Sequence, residues 1–171
     1  QLPANKTFLD PCCGSGAFLL GVRAENPSNL YGFDINPIAV MIASANLLVK
    51  YSEVEFTPNV YCLDFLQKDM VELNRDLGLP LSFDFVYTNP PWGSDREGKY
   101  ALHSAAIQTK EKASMVIAKS LNCLHTKGMS YFLLPTSLLR IRTHYRIRRK
   151  ILAETAVRRV DLFKNRFDGG F

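Results

Sequence analysis

The fold class of this chain is indicated most clearly by the stretch Phe8-Leu9-Asp10-Pro11-Cys12-Cys13-Gly14-Ser15-Gly16-Ala17-Phe18. Its apolar start predicts a short strand over residues 7–9, and its glycines predict a tight turn. A helix is expected from Ala17 to about residue 25. A glycine turn between a strand and a helix lets a cofactor approach the bare backbone. The stretch therefore predicts the first strand of a sheet with a ligand site at its end.

The remaining chain repeats this alternation of strands and helices. Strands are predicted at residues 30–33, 54–63 with a break near Pro58, 84–88, 128–134 and 157–163. Helices are predicted over 37–50, from about 101 to 124, and over 137–154. The pattern predicts an α/β fold with a Rossmann-like, doubly wound, mainly parallel sheet that helices cover on both faces. Ligands of such sheets bind at the carboxyl ends of the strands.

Composition points to a single globular domain. The chain has 171 residues, of which 47% are hydrophobic, so one domain over residues 1–171 is expected. Its apolar runs fall short of the roughly 18 residues that span a bilayer, which predicts a soluble, cytoplasmic protein without membrane contact. The four cysteines form no CxxC pair and have no histidines at zinc-ligand spacing, so no metal site is expected.

Positive charge is concentrated in one segment. The chain carries a formal charge of +5, and residues 140–150 contain five arginines and one lysine without any acid. Such a segment neutralises phosphates in some proteins and is a solvated helix face in others, and charge alone leaves both interpretations open. The nucleic-acid interpretation makes Arg146, Arg148 and Arg149 the candidate contacts to a DNA backbone.

Polar side chains follow the first four predicted strands. They are Asp10, Asp34, Asp64 and Asn89, in chain order. Each taken singly is a common turn former or helix cap. Because the carboxyl ends of parallel strands meet at one edge, we expect the four to line a single crevice.

The details of the glycine turn indicate which cofactor the crevice takes. Leu19 stands where a dinucleotide fingerprint needs a small residue, and no Gly-Lys-Ser/Thr ending of a phosphate-binding loop is present. A turn without a phosphate apparatus suits S-adenosylmethionine. Asp34, twenty positions after Gly14, has the spacing of a carboxylate that binds ribose hydroxyls. Ile35 and Phe65 are candidates to cover the two faces of the cofactor adenine, and Asp64 to accept from its amine.

Three segments together resemble a known family. They are Asp10 to Phe18, Gly32-Phe33-Asp34-Ile35-Asn36-Pro37 and Asn89-Pro90-Pro91-Trp92-Gly93. In this order they resemble the motifs of bacterial N6-adenine DNA methyltransferases of restriction-modification type. Residues 128–138 also resemble the segment around the fifth strand of that family. The resemblance implies S-adenosylmethionine as cofactor, DNA as substrate, and cofactor contacts from Asp10, Pro11, Cys12, Gly14 and Gly16.

The resemblance makes Asn89, Pro90, Pro91 and Trp92 the catalytic segment. The Asn89 side-chain oxygen and the Pro90 carbonyl can accept the two hydrogens of an adenine amine, and the prolines hold both acceptors rigidly. An adenine inside a duplex has to be flipped out to reach them. Trp92 offers a face for stacking on the flipped base, and Phe167 resembles the position of a second stacking ring.

The chain departs from the family pattern at its end. It stops before the last strand of the usual methyltransferase sheet and contains no target-recognition region. We therefore expect a catalytic core from a longer protein, with a specificity or restriction subunit or domain outside this chain.

Two other functions remain open. A methyltransferase that acts on a protein glutamine amide or on an RNA amino group also uses Asn-Pro-Pro followed by an aromatic residue. A catalytically silent nucleic-acid-binding module is the third alternative, although the complete motif argues against it. The polar segment 93–100 is either a loop over the target base or a surface connection.

Overall fold

A computed structural model describes residues 1–163 of the chain, apart from the side chain of residue 104. A five-stranded parallel sheet forms its centre, in the order β3-β2-β1-β4-β5. The strands are β1 (Phe8–Asp10), β2 (Leu30–Asp34), β3 (Asn59–Cys62), β4 (Phe83–Thr88) and β5 (Leu124–Phe132). The order reverses between β1 and β4, so the doubly wound fold predicted from the sequence is confirmed.

Seven helices accompany these strands within residues 1–163. They are α1 (Ala17–Gly21), α2 (Pro37–Lys50), α3 (Met70–Leu77), α4 (Ala101–Ile107), α5 (Lys112–Asn122), α6 (Ser137–Arg140) and α7 (Tyr145–Glu154). Short 3-10 helices occupy Pro27–Asn29 and Arg142–His144. The longest of these helices, α2, has 14 residues, and none of the helices within residues 1–163 has the length and hydropathy of a bilayer-spanning segment.

Two buried clusters lie on opposite sides of the sheet. One joins strand residues such as Leu9, Phe33 and Val86 to α3 and α5. The other joins Phe8 and Leu30 to α1 and α2. Adjacent strand residues point to opposite faces, which explains why Phe8 and Leu9 belong to different clusters. Burial on both faces requires apolar strands, and polar residues are consequently left to the strand ends.

Helix α2 has the bounds that the sequence predicts. Asn36 is its N-cap, and the side chain accepts hydrogen bonds from the amides of Ile38 and Ala39. Pro37 follows at the first helical position, where a missing N–H costs nothing. These two residues place the start of α2 directly after the end of β2.

Helix α3 was not predicted, although its boundary residues carry recognisable signals. The Asp69 side chain caps the first turn by accepting from the Val71 amide at 2.6 Å. Gly78 ends the helix with a φ of 66°, a left-handed conformation that glycine adopts without strain. An acidic N-cap and a glycine nine positions later delimit a short helix that packs Met70 and Leu73 into the core.

Three other predictions were wrong. The continuous helix over about 101–124 is two helices, because residues 108–111 leave helical geometry and Gln108 has a φ of 48°. The helix over 137–154 is interrupted at Ile141, whose backbone is extended. Residues 157–163 form no strand. Their alternating apolar pattern resembles a strand, but the adjacent strand β5 pairs only with β4 within the described chain.

Candidate active site

The two glycines of the turn after β1 have different tasks. Gly14 has a φ of 52° and Gly16 a φ of 93°, both in the left-handed region. A Cβ atom at Gly14 would meet nothing within 4 Å, whereas one at Gly16 would lie 3.1 Å from the Cβ of Ala43 in α2. Gly14 therefore leaves open space beside the backbone, and Gly16 allows α1 to pack closely on α2.

The structure also explains how Leu19 is accommodated. Leu19 is fully buried, and a Cβ atom at Gly32 in β2 would lie 2.8 Å from its Cδ1 atom. The leucine fits between helix and sheet because the opposing strand residue has no side chain. The small residue that dinucleotide-binding folds carry on the helix is here on the neighbouring strand.

Asp34 connects the glycine turn to β2. Its Oδ2 accepts a hydrogen bond from the Gly14 amide at 2.8 Å, and its Oδ1 accepts from the Asn36 amide at 2.9 Å. A carboxylate oxygen has two acceptor positions, so each oxygen keeps one for a ligand hydroxyl. The half-buried side chain thus holds the turn in shape and retains acceptor capacity.

Asp64 is hydrogen-bonded by the polar segment that follows Asn-Pro-Pro-Trp. Its Oδ2 accepts from Lys99 Nζ at 2.8 Å and from the Tyr100 hydroxyl at 2.9 Å, and its Oδ1 accepts from the Leu66 amide. Burial by itself would raise the pKa of Asp64, but the Lys99 and Tyr100 hydrogen bonds and the Lys99 charge lower it below its usual range. Sequence reasoning missed both partners, because nothing in residues 93–100 indicates that they reach the end of β3.

The two candidate covers of the cofactor adenine have opposite environments. Ile35 is 68% exposed, directly after β2. Phe65 is 3% exposed and stacks on Phe33, with ring centroids 6.1 Å apart. Its ring therefore belongs to the core, and its contact with a cofactor stays a prediction that requires neighbouring groups to move.

Asp10 is a buried carboxyl at the end of β1. It is 1% exposed and accepts from the Cys12 amide at 3.2 Å, and Pro11 beside it is also buried. Burial raises the pKa of Asp10 to about 7, although the nearby Thr88 hydroxyl and the Cys12 amide favour the charged form. Burial also raises the pKa of the Cys12 thiol, which keeps that thiol neutral.

The raised pKa of Asp10 makes stability depend on pH. Protons bind this carboxyl more readily in the folded than in the unfolded protein, whose carboxyl has a pKa of about 3.9. The folded protein therefore loses stability as pH rises from about 4 to about 8, by up to about 4 kcal/mol from this group. We expect Asp10→Asn, which cannot ionise, to remove this loss.

Urea unfolding at a series of pH values tests this expectation. The variant should gain in unfolding free energy relative to the wild type as pH rises. Contributions of other groups, such as His144, whose pKa burial lowers, are shared by both proteins and cancel in the difference. A difference that stays constant over this range would contradict the assigned titration of Asp10.

Asn89 lies beside the glycine turn, directly after β4. The pairing of Leu9 with Val86 places residues 88 and 89 alongside the end of β1 and the turn. The Oδ1 atom of Asn89 is buried and has no hydrogen-bond partner within residues 1–163. An unpaired buried acceptor destabilises a protein by about 1–3 kcal/mol, so a ligand that donates a hydrogen bond to this atom would be favoured.

The rest of the segment predicted to be catalytic extends from buried to exposed. Pro90 is buried, Pro91 is exposed, and the Trp92 side chain is 51% exposed. A tryptophan of the core would be more buried than this. A half-exposed indole beside a buried acceptor is suited to stacking on a planar ligand. Phe167, the other candidate for stacking, lies outside the described residues.

The segment 93–100 is tied to the start of α5. The Lys112 amide donates to the Gly93 carbonyl at 2.9 Å, and the Asp95 amide donates to the Lys110 carbonyl at 2.7 Å. The buried Asp95 carboxylate in turn accepts from the amides of Lys99 and Tyr100. Through these hydrogen bonds, residues 93–100 form an ordered connection across the sheet edge. The sequence alone left open whether they form a loop over the target base or a surface connection.

The basic segment divides into structural and exposed arginines. Arg148 donates from Nη1 to the carbonyls of Leu138 and Ile141, each at 2.8 Å, and so joins α7 to the end of α6. Arg146 and Arg149 are exposed and have no partner within residues 1–163. DNA contact by these three arginines stays a prediction, and Arg148 already has a structural task.

Across the described part of the chain, no group of three or more His, Cys, Asp or Glu side chains could hold a metal ion.

The chain is similar to known proteins in sequence and in fold. The N-6 DNA Methylase family matches residues 2–167. Type II methyltransferase M.VspI from Vibrio sp. (strain 343) is 30% identical over 164 residues, which cover 92% of this chain and 38% of that protein. A modification subunit of a putative type I restriction enzyme from Vibrio vulnificus YJ016 has a TM-score of 0.66 at 19% identity, over 88% of this chain and 34% of that one.

A second kind of relative matches part of the chain. Release factor glutamine methyltransferase from Chlamydia trachomatis serovar L2 is 35% identical over 94 residues, which cover 53% of this chain and 27% of that protein. This chain thus spans less than two fifths of the length of each of these relatives. The family match extends over nearly all of the sequence, from the glycine turn through the Asn-Pro-Pro-Trp segment, and the chain belongs to the N-6 DNA methylase family.

Proposed function

We propose that this chain transfers a methyl group from S-adenosylmethionine to the N6 amino group of adenine in DNA, within a restriction-modification system. The observation that carries the proposal is the buried, unpaired Oδ1 of Asn89 next to an open glycine turn. The acceptor calls for a donor such as an amine, and the turn leaves space for a cofactor. The family membership of the chain supports both assignments.

The residues after β1 and β2 fit the proposed cofactor. The open space at Gly14 suits the methionine portion, and the remaining acceptor positions of Asp34 suit the ribose hydroxyls. The exposed Ile35 side chain would lie against one face of the adenine. When bound, the cofactor supplies a methyl group on a sulfonium, which is already a strong electrophile.

The protein's task is then to prepare the amine. The N6 lone pair of adenine is delocalised into the ring, so the free amine is a weak nucleophile. Asn89 Oδ1 and the Pro90 carbonyl would accept its two hydrogens and aim the lone pair at the methyl group. Alignment of this kind lowers a barrier by about 7–11 kcal/mol. The proton leaves after transfer, so the motif needs no general base.

Access to Asn89 requires a local movement. Because its Oδ1 is buried, the amide has to rotate or a neighbour has to shift before a base can reach it. The target adenine also has to leave the duplex, at a cost of a few kcal/mol. Stacking on the exposed Trp92 ring would return about 1–3 kcal/mol of that cost.

A second candidate function is methylation of a glutamine amide in a protein. It is favoured by the match to release factor glutamine methyltransferase, which extends over 94 residues, or 53% of the chain. A glutamine amide presents the same two N–H groups to Asn89 and Pro90. The N-6 DNA Methylase match covers residues 2–167 and favours adenine.

Transfer of radiolabel from S-adenosylmethionine distinguishes these substrates. Purified chain is incubated separately with DNA, a peptide release factor and ribosomal RNA, and the modified product is identified by mass spectrometry. We expect label in N6-methyladenine of DNA. Label in a protein glutamine or in RNA, with none in DNA adenine, would overturn the proposal.

The length of the relatives bears on the partners of the chain. Because it spans 38% of the type II methyltransferase, further domains or subunits would supply the recognition of a DNA sequence and any restriction activity. Bacterial DNA lies in the cytoplasm, so a bacterial protein that methylates DNA would act there.

A further inference from the structure

A cavity of about 380 Å³ lies outside the glycine turn and the Asn-Pro-Pro-Trp segment. Its lining comes from the junction between α4 and α5 and from the segment around the start of α7, namely Gln108, Arg142, Thr143, Tyr145, Arg146 and Arg149. Three of these six residues are arginines and none is acidic. We refer to this feature as the arginine cavity.

The charges of the arginine cavity are uncompensated. The side chains of Arg142, Arg146 and Arg149 form no ion pair and no hydrogen bond within residues 1–163. Their basic neighbours differ, since Lys150 pairs with Glu154 at 2.7 Å and Arg148 donates to two carbonyls. Three guanidinium groups without a partner in the described chain therefore line the cavity.

The spacing of these arginines brings like charges together. Arg146 and Arg149 are three positions apart in α7, which places them on one face of that helix, and Arg142 lies in the 3-10 helix directly before it. Like charges at this spacing destabilise an isolated helix. An anion bound between them would remove that repulsion. Guanidinium groups suit phosphate in particular, because their N–H donors match its oxygens in pairs.

The arginine cavity lies at the same edge of the sheet as Asn89. Strand β5 ends at Phe132, and the chain continues from that carboxyl edge through α6 to Arg142. Gln108, on the other side of the cavity, belongs to the junction that is hydrogen-bonded to the segment after Trp92, through the Lys112 amide and the Gly93 carbonyl. The cavity and the Asn-Pro-Pro-Trp segment are thus connected through the start of α5.

We infer that the arginine cavity binds one backbone phosphate of the DNA strand whose adenine is methylated. The inference rests on the proposed function, because DNA is the ligand that carries a planar base and phosphates on one chain. Arg146 and Arg149 share this phosphate, with Arg142 beside them. Inorganic phosphate or the phosphate of a free nucleotide has the same chemistry, and the test separates these sources.

The test compares two double variants of the chain. R146Q/R149Q removes two charges from the cavity, and R23Q/K127Q removes two charges from exposed side chains that have no partner in the described structure. Binding of a fluorescein-labelled random-sequence DNA duplex is followed by anisotropy at increasing salt. Loss of one phosphate contact should reduce the slope of log K against log salt by about 0.9 in R146Q/R149Q alone.

Several results would overturn the inference. An unchanged slope would remove the cavity from the DNA interface, and a reduction by about 1.8 would mean two separate phosphates rather than a shared one. An equal reduction in R23Q/K127Q would show a general charge effect. If inorganic phosphate raises the melting temperature of the wild type but not of R146Q/R149Q while both bind DNA with the same slope, the cavity serves a free anion.

Two further measurements keep the result interpretable. R146K/R149K retains the charge and should retain the wild-type slope, which excludes a folding defect as the cause of a change. Methyl transfer by the wild type is measured separately. Adenine methylation together with an unchanged slope in R146Q/R149Q defeats the cavity inference alone, whereas absence of both methylation and DNA binding defeats the proposed function as well.

Discussion

Asn89→Ala is expected to lower the rate of methyl transfer by about a hundredfold to a thousandfold, the effect of removing one preorganised polar group from a transition state. Cofactor affinity should change little, because the cofactor residues lie after β1 and β2. Stability should not fall, because Oδ1 has no hydrogen-bond partner within residues 1–163. Removal of an unpaired buried acceptor relieves a cost rather than losing a contact.

The measurements are single-turnover transfer to DNA, calorimetric binding of S-adenosylmethionine, and thermal unfolding. Asn122→Ala is the matched control, since it removes the same group from the exposed end of α5, just before β5 begins at the opposite edge of the sheet. A variant of Asn89 that transfers methyl groups at the wild-type rate would remove this residue from the mechanism. Lost activity together with lost folding would assign it a structural role instead.

Asp34→Ala is expected to weaken binding of S-adenosylmethionine on the order of a hundredfold, since hydrogen bonds to a charged group contribute about 1.5–3 kcal/mol each. Two effects combine. The ribose hydroxyls lose their acceptor, and the amides of Gly14 and Asn36 lose the carboxylate that holds the turn. The unpaired amides should also lower the unfolding free energy by about 1–3 kcal/mol.

Two comparisons separate these effects. Asp34→Asn keeps one acceptor oxygen and the shape of the side chain, and should therefore bind the cofactor better than Asp34→Ala. Asp76→Ala, which removes an exposed carboxylate at the end of α3, should leave cofactor affinity unchanged. Affinity is measured by calorimetry and stability by urea unfolding. Wild-type affinity in Asp34→Ala would place the ribose elsewhere.

Local signals were sufficient for the parts of the fold that depend on neighbours in sequence. Helix α2 begins and ends where the sequence predicts, because Asn36 and Pro37 define its first turn without help from the rest of the chain. The sequence also predicts that Asp10, Asp34, Asp64 and Asn89 share one edge, and the structure places Asp10 and Asp34 at the last positions of β1 and β2 and Asp64 and Asn89 just after β3 and β4. Parallel strands of one sheet leave no other position for their end groups.

Long-range contacts account for the errors. Gly93 and Asp95 pair with the junction at 110–112, and this pairing interrupts the helix predicted over 101–124. Arg148 reaches back to the carbonyls of Leu138 and Ile141, where the helix predicted over 137–154 breaks. Both interruptions depend on residues more than six positions away. Propensity and periodicity describe only what a short window prefers, so neither interruption was predictable.

The doubly wound sheet, the glycine turn and the order of polar groups along one edge can be predicted from local patterns, because they follow from the alternation of strands and helices and from the geometry of parallel strands. The burial and the hydrogen-bond partners of those groups depend on contacts between distant segments. Burial of Asp10, the missing partner of Asn89 Oδ1, the engagement of Asp64 by Lys99 and Tyr100, and the unpaired arginines all depend on which segments meet in space. Solvation and pairing are properties of that assembled environment, and a residue's place in the chain does not specify them.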